Sequence, residues 1–300
     1  MNGRRTDALS VQQLSKLLDL LASKADNGQE AAVDVLYMVV HCTDNKDADY
    51  RNGLQKYLSK FVTQLEWSRL SIDNHNFDIH LEKVIEFAVS GNDPFGVTKQ
   101  TITRLLELEH AGKRIYSRNL GNLLRPFFKE NPLDALDAIY SKDKETLMLR
   151  LFTIQLDRHG ETALSAVPPK ALIDWCKESP EGRCQFAAKG CKLFERENHD
   201  DLNHENILSI SSAAKAILEI APNKEEVLNI LVSRFSPSVW SGSRAAIMRQ
   251  RATLLDQCNP TGDPELSELI EEAKVRLSKD ISEEEQWEQE RERKDTGSFE

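Results

Sequence analysis

Residues 77–89 read FDIHLEKVIEFAV, and the pattern of this stretch decides the fold class. Its apolar positions recur at intervals of three and four residues: Leu81, Val84, Ile85 and Ala88. This spacing places side chains on one face of an α-helix, whereas a strand would require strict alternation. The stretch therefore predicts an amphipathic helix with one buried face.

The same periodicity extends through most of the 300 residues. A second example is the apolar run from Ala32 to Val40, and residues 205–220 also read as one helix. The chain has only 13 glycines and 10 prolines, which disfavours a β-sandwich or barrel with many tight turns. We therefore expect an all-α protein with more than about 60% helix and negligible sheet.

The order of the segments favours an α-solenoid of HEAT- or armadillo-like helix pairs. About fifteen helical segments follow one another with short polar breaks, which fits pairs of roughly 40 residues. An irregular globular helical domain is the alternative. We assign residues 1–281 to the helical-repeat domain, with a candidate subdivision near residues 160–169, and residues 282–300 to an acidic C-terminal extension.

A long charged helix is predicted at the C-terminal end. Its apolar stripe ends at Ile281 and contains Leu266, Leu269, Ile270, Ala273 and Leu277. Terminal segments that bury little surface contribute little stability. We therefore expect that removing the chain from Ser282 onward leaves the fold stable, with the helix acting as a polar cap. The alternative is that Trp287 serves as a docking anchor for a partner.

The charge distribution disfavours nucleic acid as a partner. The net charge is −10, and residues 263–300 carry 14 acidic and 6 basic residues, which leaves the remainder of the chain nearly neutral. A protein that binds phosphate backbones needs a broad basic surface. We therefore expect a protein partner.

The cysteines indicate a reducing compartment. All five are scattered without a CxxC pair, and the sequence contains neither a leader-like apolar segment nor an apolar run long enough to cross a membrane. We expect a cytoplasmic protein without membrane contact. The nearest approach to a metal site is the group Cys176, Cys184, Cys191, His199 and His204. Zinc ligands usually come in close pairs, so we interpret these cysteines as packing residues and expect no metal.

Common catalytic signatures are absent from the sequence. The chain contains no HExxH, GxSxG, Walker-type glycine loop or GxGxxG, so we name no catalytic residue and no cofactor and leave enzymatic activity open. A metal-dependent hydrolase using His75, Asp78 and His80 is an alternative hypothesis. The opposing interpretation is a polar loop followed by Asp78 as an acid in the first helical turn.

One candidate binding site lies near residue 240. It comprises Trp240, Ser243, Arg244, Arg249 and Arg251. Ser243 can cap a helix that begins at Arg244, and the exposed amides and guanidinium groups of such a helix start can hold an anion. The alternative interpretation is that Trp240 packs into the core and the arginines bridge neighbouring acidic helices.

Three segments in the last third of the chain resemble a known family. They are PKALIDWC at 169–176, SVWSGSRAAIMRQRATLLD at 238–256 and EEEQWEQERERKDTGSFE at 283–300. They resemble the C-terminal helical region of large bacterial NTPase-associated proteins, some of which act in antiphage defence. The resemblance implies a HEAT-like sensor or scaffold attached to an enzymatic or ATP-binding part. No nucleotide-binding motif occurs here, so the resemblance carries over no catalytic residue.

Two functional hypotheses follow. The leading one is a non-catalytic protein-interaction scaffold or sensor module built on helical repeats, within a bacterial defence system. The alternative is a HEAT-like nucleic-acid-binding protein of the DNA-glycosylase type, which would use its arginines on a concave face.

Overall fold

The computed structural model describes residues 9–24, 28–43, 46–67, 75–91, 93–113, 120–140, 162–197, 207–237 and 240–297. Of these residues 78% lie in helices, and almost none lie in a sheet. The prediction of a mostly helical protein is therefore confirmed for the part of the chain that is described. The chain divides into two compact units, Met1–Pro168 and Pro169–Glu300.

Seven α-helices are described in the first unit. They are α1 (Val11–Lys24), α2 (Gly28–His41), α3 (Ala48–Gln64), α4 (His75–Val89), α5 (Val97–His110), α6 (Leu120–Glu130) and α7 (Pro132–Ile139). A 3₁₀ turn follows at Ala163–Ala166 and packs against α6.

These helices contact one another in two rows. Helices α1, α3, α5 and α7 contact in that order, and α2, α4 and α6 do the same. Contacts between α1 and α2, α3 and α4, and α6 and α7 join the rows. The apolar face predicted for residues 77–89 is fully buried in α4, because this helix has neighbours on both sides within its row and α3 opposite.

Polar side chains fix where individual helices begin. Asp93 precedes α5, and its carboxylate oxygens accept the amides of Val97 at 2.8 Å and Thr98 at 2.7 Å. Its φ of 49° lies in the left-handed region, which aspartate tolerates better than most residues. Asp93 is itself buried, so this cap belongs to the core of the unit.

The second unit contains six helices and a hairpin among its described residues. The helices are α8 (Pro169–Glu178), α9 (Pro180–Gly190), α10 (Ser212–Ile220), α11 (Lys224–Ser233), α12 (Arg244–Ala252) and α13 (Pro264–Gly297). A 3₁₀ turn at Leu255–Cys258 packs against α10 and α13. Helix α9 contacts α8, α10 and α11, and α13 packs against α11 and α12.

The hairpin corrects the expectation of a single helix over residues 205–220. Strands β1 (Phe194–Glu197) and β2 (Ile207–Ile210) pair antiparallel, with Phe194 opposite Ile210. The helix begins only after Ser211, whose hydroxyl accepts the amide of Ala214 at 3.1 Å and donates to the carbonyl of Lys192 at 2.5 Å. This tertiary bond fixes the chain reversal before α10, and helical periodicity does not encode it.

The C-terminal helix is a single long element, as the sequence predicts. Helix α13 runs from Pro264 to Gly297 and crosses the predicted domain boundary at residue 281. Its predicted apolar stripe is buried at Leu266, Ile270, Ala273, Leu277 and Ile281. None of the helices described has the length and apolar composition needed to cross a membrane.

Candidate functional site

The candidate site is built around the first turn of α12. Ser243 immediately precedes this helix, and its hydroxyl oxygen accepts the amide of Ala246 at 3.0 Å. The serine cap that the sequence predicts is therefore present. A capped first turn still leaves the amides of Arg244 and Ala245 without partners inside the helix.

Glu288 of α13 supplies the partner for these amides. One of its carboxylate oxygens accepts hydrogen bonds from the backbone amides of Arg244 at 2.6 Å and Ala245 at 3.2 Å. The other accepts the hydroxyl of Ser243 at 2.7 Å. A carboxylate of the chain itself thus lies at the helix start for which the sequence predicts an external anion.

The surroundings of Glu288 favour its ionised form. Burial alone would raise the pKa of this carboxyl group, but the hydrogen bonds from Ser243, Ala245 and Arg244 outweigh it, with the positive charge of Arg244 acting in the same direction. The net effect is a lowered pKa. The carboxylate and the helix start therefore stabilise each other, as expected for an anion at the positive end of a helix dipole.

Arg244 connects three neighbours through its side chain. Its guanidinium donates to Glu284 of α13 at 3.0 Å and to the hydroxyl of Ser236 at 2.5 Å. It also lies over the ring of Trp240, 4.8 Å from the ring centre. Trp240 remains 42% exposed, so it packs on the arginine at the surface instead of in the core.

The other two arginines of the candidate site have separate roles. Arg249 forms an ion pair with Glu285 of α13. Arg251 donates to the carbonyl of Phe235 at 2.9 Å and lies over the ring of Phe194 in β1. Burial lowers the pKa of Arg251. The structure therefore connects Ser243, Arg244 and Arg249 to α13, with Trp240 stacked on Arg244, and it assigns Arg251 to the packing of the hairpin.

Three functional neighbours, Glu284, Glu285 and Glu288 of α13, are not indicated by the sequence around residue 240. The signal that could have found them is the register of the apolar stripe. Glu284 and Glu288 follow Ile281 at intervals of three and seven residues, so they continue the buried face of the helix. Beyond Ile281 this face of α13 is acidic instead of apolar, because it lies against the cationic start of α12.

Two residues of the hydrolase hypothesis, Asp78 and His80, have described side chains, and His80 is paired with a residue outside the hypothesis. The Nδ1 atom of His80 lies 2.7 Å from a carboxylate oxygen of Asp34 in α2, and its ring stacks on Tyr37 at 4.0 Å. Asp78 is buried, and the side chain of His75 lies outside the described part of the chain.

The candidate metal cluster at Cys176, Cys184 and Cys191 is described only in part. His199 and His204 lie outside the described residues. Within the residues that are described, no group of three His, Cys, Asp or Glu side chains could hold a metal ion.

A groove in the first unit is a second candidate surface. It has a volume of about 760 Å³ and lies among α1, α2, α3, the residue Leu9 that precedes α1, and described residues between α2 and α3. Its lining consists of Leu9, Leu14, Asp34, Val35, Met38, Val39, Cys42, Thr43, Lys46 and Tyr50. Met38 projects from α2 with 60% of its surface exposed. Seven of these ten residues are apolar, aromatic or thiol-bearing, which is typical of a surface that binds an apolar group.

Comparison of the chain with protein-family models, with curated proteins and with solved structures finds no match, so the resemblance to NTPase-associated proteins stays a prediction.

Proposed function

We propose that this protein is a non-catalytic interaction scaffold or sensor module built on helix pairs. The order of contacts in the first unit supports an α-solenoid of the HEAT or armadillo type, because odd helices contact odd helices and even helices contact even helices. Solenoids of this type offer continuous surfaces for partners.

The groove among α1, α2 and α3 is the observation that carries this proposal. Its apolar lining includes Val35, Met38 and Val39 on successive turns of α2, and Asp34 and Lys46 supply a charge of each sign. An exposed methionine adapts its shape to different apolar groups, and protein-binding grooves use it for this reason. We assign to the groove an amphipathic helix of a partner protein that inserts one or two apolar anchors between flanking charges.

The nucleic-acid alternative receives less support from the contacts of the arginines. A binder of phosphate groups needs cationic side chains that are free to approach them. Arg244 and Arg249 are neutralised by Glu284 and Glu285, and Arg251 packs on the hairpin. Phosphate groups would have to compete with carboxylates that the chain already holds in place.

The proposal also includes the cellular system and the compartment in which the scaffold acts. The resemblance of residues 169–300 supports a role in a bacterial defence system, where the partner would supply the enzymatic or ATP-binding part. The five cysteines are free thiols, which supports action in the reducing cytoplasm.

A matched pair of substitutions tests the groove. Met38→Glu places a charge on its apolar lining, and Val275→Glu makes the same change on α13, where the side chain is 72% exposed. Both positions are exposed, so neither variant should lose its fold by burying a charge. Partners are isolated from the organism of origin with each variant, and the recovered partner is then purified and titrated against each variant by calorimetry.

The expected result is loss of binding in Met38→Glu, at least tenfold in Kd, with unchanged binding in Val275→Glu. Unchanged binding by both variants would refute the assignment of the groove. If the parent protein instead binds a DNA or RNA duplex, and Arg244→Ala loses that binding, the result would favour the nucleic-acid alternative.

A further inference from the structure

Two cysteine thiols lie against each other in the core of the second unit. Cys176 belongs to α8 and Cys184 to α9, and the short turn at Ser179 joins these packed helices. Both side chains are fully buried. The two thiols are within hydrogen-bonding contact of each other, and the carbonyl oxygen of Arg183, 3.7 Å from the Cys176 sulfur, is a second acceptor for the single Cys176 proton. Their sequence spacing of eight residues does not reveal this contact, because the two cysteines lie on different helices.

The two thiols differ in their readiness to ionise. The hydrogen bond from Cys176 lowers the pKa of Cys184, and the same bond together with burial raises the pKa of Cys176. A thiolate is the nucleophile in thiol chemistry, so Cys184 is the sulfur that reacts first. Cys176 is then the adjacent thiol that can resolve the product.

The remaining cysteines are held differently. The guanidinium of Arg234 donates to the sulfur of Cys191 at 3.7 Å and to its carbonyl oxygen at 2.7 Å. Burial raises the pKa of both Cys191 and Cys258, the latter to about 11. Cys42 is exposed and lies in the other unit. Cys176 and Cys184 are therefore the pair whose surroundings favour a bond between sulfurs.

We propose that Cys176 and Cys184 are a redox modification site at which a peroxide forms a reversible disulfide linking α8 to α9. The Cys184 thiolate attacks one peroxide oxygen, the O–O bond breaks, and water leaves after the second oxygen takes up a proton. The resulting sulfenic acid is attacked by Cys176, which releases a second water and forms the S–S bond. Two thiols lose two electrons and two protons, and one hydrogen peroxide becomes two waters.

Burial sets the rate of this reaction. A peroxide reaches the two sulfurs only when the turn between α8 and α9 opens locally. We therefore expect the pair to react more slowly than the exposed Cys42, and the product to close a short loop that favours the folded arrangement.

Peptide mapping tests the proposal directly, because trypsin separates all three cysteines of this region. Cleavage after Lys170, Lys177, Arg183, Lys189 and Lys192 yields ALIDWCK (171–177), CQFAAK (184–189) and GCK (190–192). The reduced, folded protein is treated with hydrogen peroxide, free thiols are blocked with N-ethylmaleimide, and the digest is analysed by mass spectrometry without reduction. Cys191→Ser and Cys42→Ser variants are treated in parallel.

The expected product is a linked pair of peptides 171–177 and 184–189 that dithiothreitol separates, with peptide 190–192 blocked as a free thiol. Both variants should give the same linked pair, and the oxidised protein should melt at a higher temperature than the reduced one. The proposal is overturned if the folded protein yields peptides 171–177 and 184–189 only as free thiols or sulfinic acids. It is equally overturned if either cysteine is linked mainly to Cys191 or Cys42, or if the link forms only in denaturant.

Discussion

The carboxylate of Glu288 accepts the backbone amide of Arg244 at 2.6 Å, although the two residues lie 44 positions apart in the sequence. This contact gives the first turn of α12 a built-in anion. The nearby arginines have the same kind of partner, because Arg244 and Arg249 pair with carboxylates of the same chain. A partner that binds at Trp240, Ser243 and Arg244 would first have to displace α13.

Glu288→Gln should destabilise the second unit. The substitution keeps the shape of the side chain and removes its charge, so the amides of Arg244 and Ala245 lose a charged acceptor. We expect the free energy of unfolding to fall by about 1 kcal/mol, measured by urea denaturation. Glu290→Gln is the matched control on the exposed side of α13 and should change stability by less than about 0.5 kcal/mol. Equal effects of the two variants would contradict the assigned contact.

The contribution of Glu288 to the free energy of unfolding should depend on pH. Its pKa in the folded protein lies below the ordinary value of 4.5, so folding favours the ionised form. The stabilisation is therefore fully present above about pH 6 and is lost as the pH falls through the folded-state pKa. The measurement is the difference in unfolding free energy between the parent and Glu288→Gln from pH 7 to pH 3. A difference that grows toward acid would have the wrong sign.

Arg244→Ala should cost more stability than Arg249→Ala. Arg244 is 30% exposed and pairs with Glu284, which is 16% exposed, while it also holds Ser236 and stacks on Trp240. Arg249 is 58% exposed in its pair with Glu285. We expect losses of about 1–2 kcal/mol for Arg244 and below about 0.5 kcal/mol for Arg249. The fluorescence of Trp240 should change only in the first variant. Equal losses would show that the exposed pair contributes as much as the shielded one.

Removal of residues 282–300 should lower the melting temperature, contrary to the expectation from the apolar stripe. The stripe ends at Ile281, but the shortened chain would lack Glu284, Glu285 and Glu288, which contact α12. We expect a loss at least as large as that of Glu288→Gln, with α12 retaining its Ser243 cap. The measurement is calorimetry of the full and shortened chains. An unchanged melting temperature would restore the boundary at residue 281.

Ser211→Ala should destabilise the second unit through the start of α10. The Ser211 hydroxyl is buried. It caps α10 and also donates to the carbonyl of Lys192, so the substitution removes two buried hydrogen bonds. We expect a loss of about 1–2 kcal/mol in denaturant titration. The neighbouring Ser212→Ala is the control, because Ser212 is exposed in the first turn of the same helix. A similar loss at both positions would indicate helix propensity instead of the buried bonds.

The helical elements could be predicted because their signal is local. The face of α4 and the stripe of α13 up to Ile281 each follow from intervals of three and four residues, and both are buried as expected. The cap at Ser243 follows from one residue and its immediate successors. The prediction of one helix over residues 205–220 was wrong for the opposite reason, because Ile207 to Ile210 pair with residues that precede them by ten to sixteen positions.

The sequence by itself determined that this chain is helical, that its charge concentrates in the last helix, and that Ser243 and Arg244 begin a helix. These properties depend on side chains within one or two turns of each other, where periodicity and capping preferences act. Only the tertiary structure decided that Glu288 accepts the amide hydrogen bonds at the start of α12 and that Cys176 contacts Cys184. Such pairings depend on which helices pack together, and that choice is made by the summed burial of many apolar faces, whose partners no local pattern specifies.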